Sequence, residues 1–249
     1  MGALPYTMTQ YTTLAFTTET KIGEIVAAQP SLARVFESLG LDYCCGGKQT
    51  LAAACARKSL DASSILGLLE KAATETANAP KEPDPSAMTL SELADHIENT
   101  HHLYVKRELP RLLEMAERVA LKHAWKDGRL PEVYRRVGAL TEEMIAHMNK
   151  EEKILFPLIR DLESGAAVAS HCGFIGNPIR QMETEHESAG SATERLRSLT
   201  DGFVSKADDC NTHRALLAGL LEFEGDLHRH VHKENNILFP RALSLAAKN

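Results

Sequence analysis

Residues 147–158, HMNKEEKILFPL, and residues 230–241, HVHKENNILFPR, share His, Lys, Glu, Ile, Leu, Phe and Pro in register at an offset of 83. A duplication of this kind calls for a fold with two equivalent halves. At nearly the same offset, 84, His102 in ENTHHLYVKRELP has its counterpart in His186 of METEHESAG. Each half is thus one segment with a single ligand-type His, followed 45 or 44 residues on by a segment with HxxxE. Around all four positions the apolar residues recur at helical spacing, with no strand-like alternation. The segments run approximately over 89–122, 131–163, 175–204 and 211–246, and Gly128, Gly165, Gly173 and the polar run Ser205 to Asp209 mark the breaks. Connections this short set consecutive helices side by side, so the reading is all-α with a C-terminal antiparallel four-helix bundle.

Residues four apart on a helix lie about 6 Å along its axis and about 40° around it. His147 with Glu151, and His230 with Glu234, therefore each aim two side chains in one direction. Directed inward at one level, the imidazoles of His102, His147, His186 and His230 and the carboxylates of Glu151 and Glu234 suit a dinuclear centre. Both Glu would bridge, leaving positions open for solvent or a small ligand. Such mixed ligation points to two non-haem iron ions, with manganese or zinc as alternatives. A structural zinc site would recruit thiolates, and no Cys lies in the repeat. A single HxxxE is ordinarily a surface pair; its recurrence in matching contexts gives it weight.

Glu143, one turn before His147, and Glu185, beside His186, are candidates for hydrogen-bonding a ligand or passing a proton; solvated helix charges are the alternative. His101 lies about 100° around the helix from His102 and is read as a neighbour. His232, nearly opposite His230, is expected to be exposed. Ile154, Leu155, Phe156 and Ile237, Leu238, Phe239 read as core, and Pro157 and Pro240 as kinks or turn ends.

Upstream, the chain divides into a tail (1–19), a small helical unit (20–75), a linker (76–88) and the bundle (89–249). The linker TANAPKEPDPSA holds three prolines and almost no large apolar residue. Within the small unit, Thr20 is a candidate cap for a helix through Ile22, Ile25 and Val26. Pro30 suits the first turn of the next helix, Gly40 its left-handed end, and Asp61 the cap of a later one. Cys44 and Cys45 precede two glycines near helix ends, so they read as accessible thiols of lowered pKa, able to bind iron or an NO group or to exchange disulfides. Small buried residues in a packed turn are the alternative. Cys55, Cys172 and Cys210 have no comparable context and read as structural.

A net charge of −6 gives no electrostatic reason to bind nucleic acid or an anionic membrane face. Five cysteines, two of them adjacent, fit a reducing compartment, and no signal-like or membrane-length apolar run occurs. The expected location is the cytoplasm.

The motifs HMNKEEKILFP, HKENNILFPRAL, HHLYVKRELP and TEH at 184–186, together with GLDYCCGG at 40–47, resemble the hemerythrin-like HHE family. More narrowly, they resemble its iron-sulfur cluster repair di-iron members, the RIC family. The resemblance covers nearly all of the chain after the first twenty residues. It implies a cytosolic protein of the nitrosative and oxidative stress response that helps restore damaged iron-sulfur proteins, by iron delivery or by handling nitric oxide. It implies as ligands the same six residues that the repeat selects. The alternative is a dioxygen- or NO-binding hemerythrin-like carrier or sensor; oxygen-carrying hemerythrins have a further His ligand that no repeat position here supplies, which weakens oxygen transport. A homodimer is left open.

Overall fold

The computed structural model describes residues 16–76, 84–165 and 175–248. Every regular element among them is helical, apart from one isolated bridge between Lys21 and Thr50. The N-terminal unit comprises α1 (Ile22–Ala28), a 3₁₀ turn (Pro30–Leu32), α2 (Ala33–Ser38), α3 (Leu51–Arg57) and α4 (Ala62–Thr76). Its core is Ile22, Ile25, Leu32, Phe36, Leu51 and Leu69, each at most 1% exposed. Pro30 opens the 3₁₀ turn, Gly40 is left-handed (φ 63°), and Asp61 accepts from the Ser64 amide at 2.8 Å. Thr20 does not cap α1. Lys21 is its N-cap residue, while Thr20 accepts from the Thr17 amide through its hydroxyl and from the Leu51 amide through its carbonyl.

Four long helices make the bundle. Thr89 and Glu92 form a reciprocal capping box that starts α5 (Leu90–Ile97), which passes through a π turn (Glu98–His102) into α6 (Leu103–His123). The second runs α7 (Leu130–Lys150), π turn (Glu151–Leu155), α8 (Phe156–Ser164), and stops at left-handed Gly165. The third is α9 (Gly176–Leu199), and the fourth runs α10 (Asn211–Lys233), π turn (Glu234–Leu238), α11 (Phe239–Ala246). The third helix ends five residues before the expected Val204, because Asp201, Gly202 and Phe203 all take positive φ and turn the chain away. Pro157 and Pro240 sit in the first turns of α8 and α11, directly after π turns. A proline ring clashes with the carbonyl four residues back in a regular helix; the widened turn removes that clash without ending the helix.

The bundle interior consists of two apolar clusters. One gathers Leu109, Leu112, Val137, Leu140, Met148, Leu220 and Phe223; the other gathers Leu93, Ile97, Phe156, Ile159, Leu238 and Phe239. A buried polar layer lies between them in sequence order along every helix. Met88 packs on the second cluster and its carbonyl accepts from Arg241 at 2.7 Å, so this end of the 76–88 segment lies against the bundle.

The N-terminal unit docks on the fourth helix. The Asn236 carboxamide donates to the carbonyls of Tyr43 (3.3 Å) and Cys44 (3.0 Å), and Cys44 joins the first bundle cluster. Gly47 permits that approach: a Cβ there would stand 2.3 Å from Asn236 Oδ1. Ala27 of α1 packs on the second bundle cluster, which includes the buried Ile237. The repeat counterpart of Ile237, Ile154, expected in the core, is 46% exposed: α1 of the N-terminal unit packs on the Glu234–Leu238 π turn, while Ile154 in the Glu151–Leu155 π turn stays open to solvent.

Candidate metal centre

His102 closes the first π turn, while Glu151 and Glu234 each open one. His147, His186 and His230 project from the middle or last turns of α7, α9 and α10. All six side chains are fully enclosed, the two carboxylates at 0% exposure. The six residues of the repeat therefore meet in one layer. The HxxxE spacing was legible; the π turn that starts at each Glu was not, and it is what lets helix and ILFP segment both keep an apolar face inward.

The ligand atoms form two groups that share both carboxylates: His102, His230, Glu151 and Glu234, and His147, His186, Glu151 and Glu234. Within the groups the paired Nε2 atoms are 3.2 Å (His102 and His230) and 3.0 Å (His186 and His147) apart. Glu151 Oε2 lies 3.3 Å from both His102 Nε2 and His147 Nε2. Glu234 divides its oxygens: Oε1 is 3.0 Å from His230 Nε2, and Oε2 is 3.0 Å from His186 Nε2.

The donor set fits a pair of cations. Two imidazoles bonded at right angles to one ion, at about 2.1 Å each, place their nitrogens about 3 Å apart. Three rings are oriented by acceptors at Nδ1: Glu152 for His102 (2.8 Å), Glu185 for His147 (2.9 Å) and Asn235 for His186 (2.9 Å). A ring that donates through Nδ1 presents a bare lone pair at Nε2, so the facing nitrogens of His147 and His186 have nothing to share unless a cation or an added proton intervenes. Both oxygens of Glu151 and Oε2 of Glu234 are buried without a hydrogen-bond partner, a costly arrangement that positive charge at the centre relieves.

The electrostatics agree. Burial works against charging His102 and His147, yet Glu151 and Glu234 outweigh it and hold their pKa values at about 10 and about 9. Burial works to raise both carboxylates, and the charge of Glu234 to raise Glu151, yet the surrounding imidazoles hold both below the usual range. The cavity is built for net positive charge against two carboxylates.

The outer residues follow expectation at Glu185 and His101 and depart from it at Glu143 and His232. Glu185 bonds His147 and is itself bound by Lys150 and Gln181. Glu143 is exposed and makes no hydrogen bond or ion pair among the described residues, so it does not reach the centre. Glu152, anchored by Lys106 at 2.6 Å, and Asn235 were missed; their signal was their place, each directly after a ligand Glu in the repeat. His232 is buried rather than exposed, its ring 5.4 Å from that of Tyr43, because the docked N-terminal unit covers it. His101 is buried too, bonded to Asp226 at 2.9 Å and stacked on His230.

The cysteine turn is also corrected in part. Asp42 accepts from the amides of Cys44, Cys45 and Gly46, tying the turn together. The Cys44 thiol is buried, and its hydrogen bond to Cys45 together with burial pushes its pKa well up, so it is neither accessible nor acidified. Cys45 is half-buried, 3.9 Å from the Cβ position of Gly190 on α9. Cys55 is buried, Cys210 caps α10 by accepting from the His213 amide, and Cys172 lies outside the described residues.

Comparison with known proteins follows the same division. Residues 93–242 match the family described as the hemerythrin HHE cation binding domain, and residues 18–73 match a domain of unknown function, DUF542. Relatives named iron-sulfur cluster repair protein YtfE are similar over almost the whole chain. That of Musicola paradisiaca is 38% identical, covering 90% of this chain and 96% of the relative. Those of Edwardsiella ictaluri (40% identical; 89% and 96%) and of Escherichia coli O81 (38%; 90% and 96%) match to the same extent. With most of its length matched and the six-residue layer in place, the chain belongs to the hemerythrin HHE cation-binding family, with the DUF542 unit ahead of the bundle.

Proposed function

We propose that the protein is a di-iron protein that helps restore damaged iron-sulfur clusters during nitrosative or oxidative stress. The observation that carries this reading is the sharing of Glu151 and Glu234 between two groups of imidazoles. His102, His147, Glu151, His186, His230 and Glu234 would hold the ions. When bound, the pair supplies Lewis-acid and one-electron chemistry, with positions open to small ligands such as nitric oxide or dioxygen.

The chain's own contribution is positional. Glu152, Glu185 and Asn235 keep three imidazoles in the tautomer that presents Nε2 inward. The apolar clusters on both sides keep bulk water from the carboxylates. Glu185, held by Lys150 near the surface, is the one outer carboxylate on His147 and can take up or release a proton at Nδ1. In this reading the bundle, 89–249, carries the metal, and the unit at 20–75, where Cys45 is the less buried of the two adjacent thiols, meets clients. The clients in this reading are cytoplasmic iron-sulfur proteins, and the free cysteines among the described residues fit a reducing compartment.

The test is recovery of a damaged cluster enzyme on addition of iron-loaded protein, with Glu151→Leu as the comparison. Recovery with the wild type and none with the variant supports the reading. Failure of the loaded wild type to change recovery or to react with nitric oxide refutes it. Reversible oxygenation without recovery would favour a carrier or sensor instead.

A further inference from the structure

The two halves of the bundle agree in their ligands and disagree in what stands behind them. At the repeat offset, Lys150 corresponds to Lys233, Glu185 to His101, and Glu143 to Asp226. In the first half Lys150 binds Glu185, and Glu185 accepts from His147 Nδ1. In the second, Lys233 Nζ lies 2.8 Å from His101 Nε2, so the lysine keeps its place while the carboxylate is replaced by an imidazole. His101 is held at its other nitrogen by Asp226, at 2.9 Å. Its ring lies parallel to that of His230, with centroids 5.4 Å apart and an interplanar angle of 3°. A face-on ring offers no acceptor, and His230 Nδ1 is buried without a hydrogen-bond partner, unlike Nδ1 of the other three imidazoles.

We propose that His101 is a positioning residue for His230, holding its ring by stacking in place of a carboxylate hydrogen bond. The ion position served by His102 and His230 thereby differs chemically from the one served by His147 and His186. The inference rests on the di-iron reading above. A carboxylate at Nδ1 strengthens an imidazole as a donor through Nε2, and a ring stacked on its face, which takes no hydrogen bond from Nδ1, does not. His230 is therefore the weakest of the four donors, and nothing in the ligand set itself would produce that difference.

The experiment is Mössbauer spectroscopy of the full-length protein loaded with ⁵⁷Fe, with iron per chain measured on the same sample. The expected wild-type spectrum has two quadrupole doublets of equal area and unequal splitting. His101→Glu, which restores the carboxylate found at Glu185, should draw the doublets together and slow loss of iron to a chelator by about tenfold, the lower end of such effects. Glu185→Gln should move only the other doublet. Where His101→Glu fails to fold, Asp226→Ala releases the His101 ring and should shift one doublet alone. A single wild-type doublet at two irons per chain overturns the inference, as does a spectrum indifferent to both His101→Glu and Asp226→Ala. Iron content below one per chain sinks the di-iron reading itself, and this inference with it.

Discussion

Acid should strip the centre by proton competition, and the structure sets the slope. His102 and His147, one in each ligand group, have pKa values near 10 and 9 without a cation, so both rings are charged at neutral pH. Each already donates through Nδ1 to a glutamate, which places the extra proton on the inward Nε2. A cation can bond that nitrogen only after the proton has left. One proton displaced per ion makes each association constant rise about tenfold, about 1.4 kcal/mol, per pH unit below pH 9. Each ion should then bind about 100-fold tighter at pH 8 than at pH 6. Competition between the protein and a chelator of known pH dependence, with ferrous iron under anaerobic conditions, measures this directly. Calorimetry in two buffers of different ionisation heat should show about one proton released per ion at pH 7. An affinity unchanged between pH 6 and pH 8, after correction for the chelator, would refute the reasoning.

Without cations, stability should run the opposite way. The raised imidazoles contribute fully below their ordinary pKa of 6.5 and lose that contribution as pH climbs through 9 to 10, whereas the lowered carboxylates contribute above 4.5 and lose theirs in acid. Thermal melts of metal-free protein should peak at about pH 5–6, and the gain in Tm on loading should widen toward alkaline pH. Glu152→Ala leaves His102 Nδ1 without its acceptor and should weaken iron binding by about 10- to 100-fold, read by chelator competition. Glu143→Ala, at an exposed position, should leave iron binding unchanged and alter stability by under about 0.5 kcal/mol in denaturant titration. Gly47→Ala puts a methyl group against Asn236 and should release the N-terminal unit at a cost of about 1–3 kcal/mol, seen as faster proteolysis between residues 76 and 88 with iron content retained.

Much of this was legible in the residues. The duplicated HxxxE segments located all six inward groups, because a repeat constrains positions that a lone motif leaves free. What the residues hid depended on contacts between helices or between units. Glu152 and Glu143 look alike in sequence, each an acid near a ligand, yet the π turn at Glu151 brings Glu152 to His102 while Glu143 stays in solvent. His232 was misread because its burial comes from the docked N-terminal unit and not from the face of its own helix. Cys44 was misread for the same reason: the turn that displays two thiols in sequence is pressed onto the bundle core. Helical periodicity also gave no sign of the π turns, since each flanking segment keeps its own 3.6-residue period and the shift of about 100° from one extra residue shows only when the two are compared in phase.

The sharing of Glu151 and Glu234 between two metal positions is tested most directly by iron-edge X-ray absorption on protein of known iron content. Two irons per chain with a metal-to-metal vector of about 3–4 Å, lost in Glu151→Leu, is the result expected of such a paired site. One iron per chain, or two with no vector between them, would contradict it.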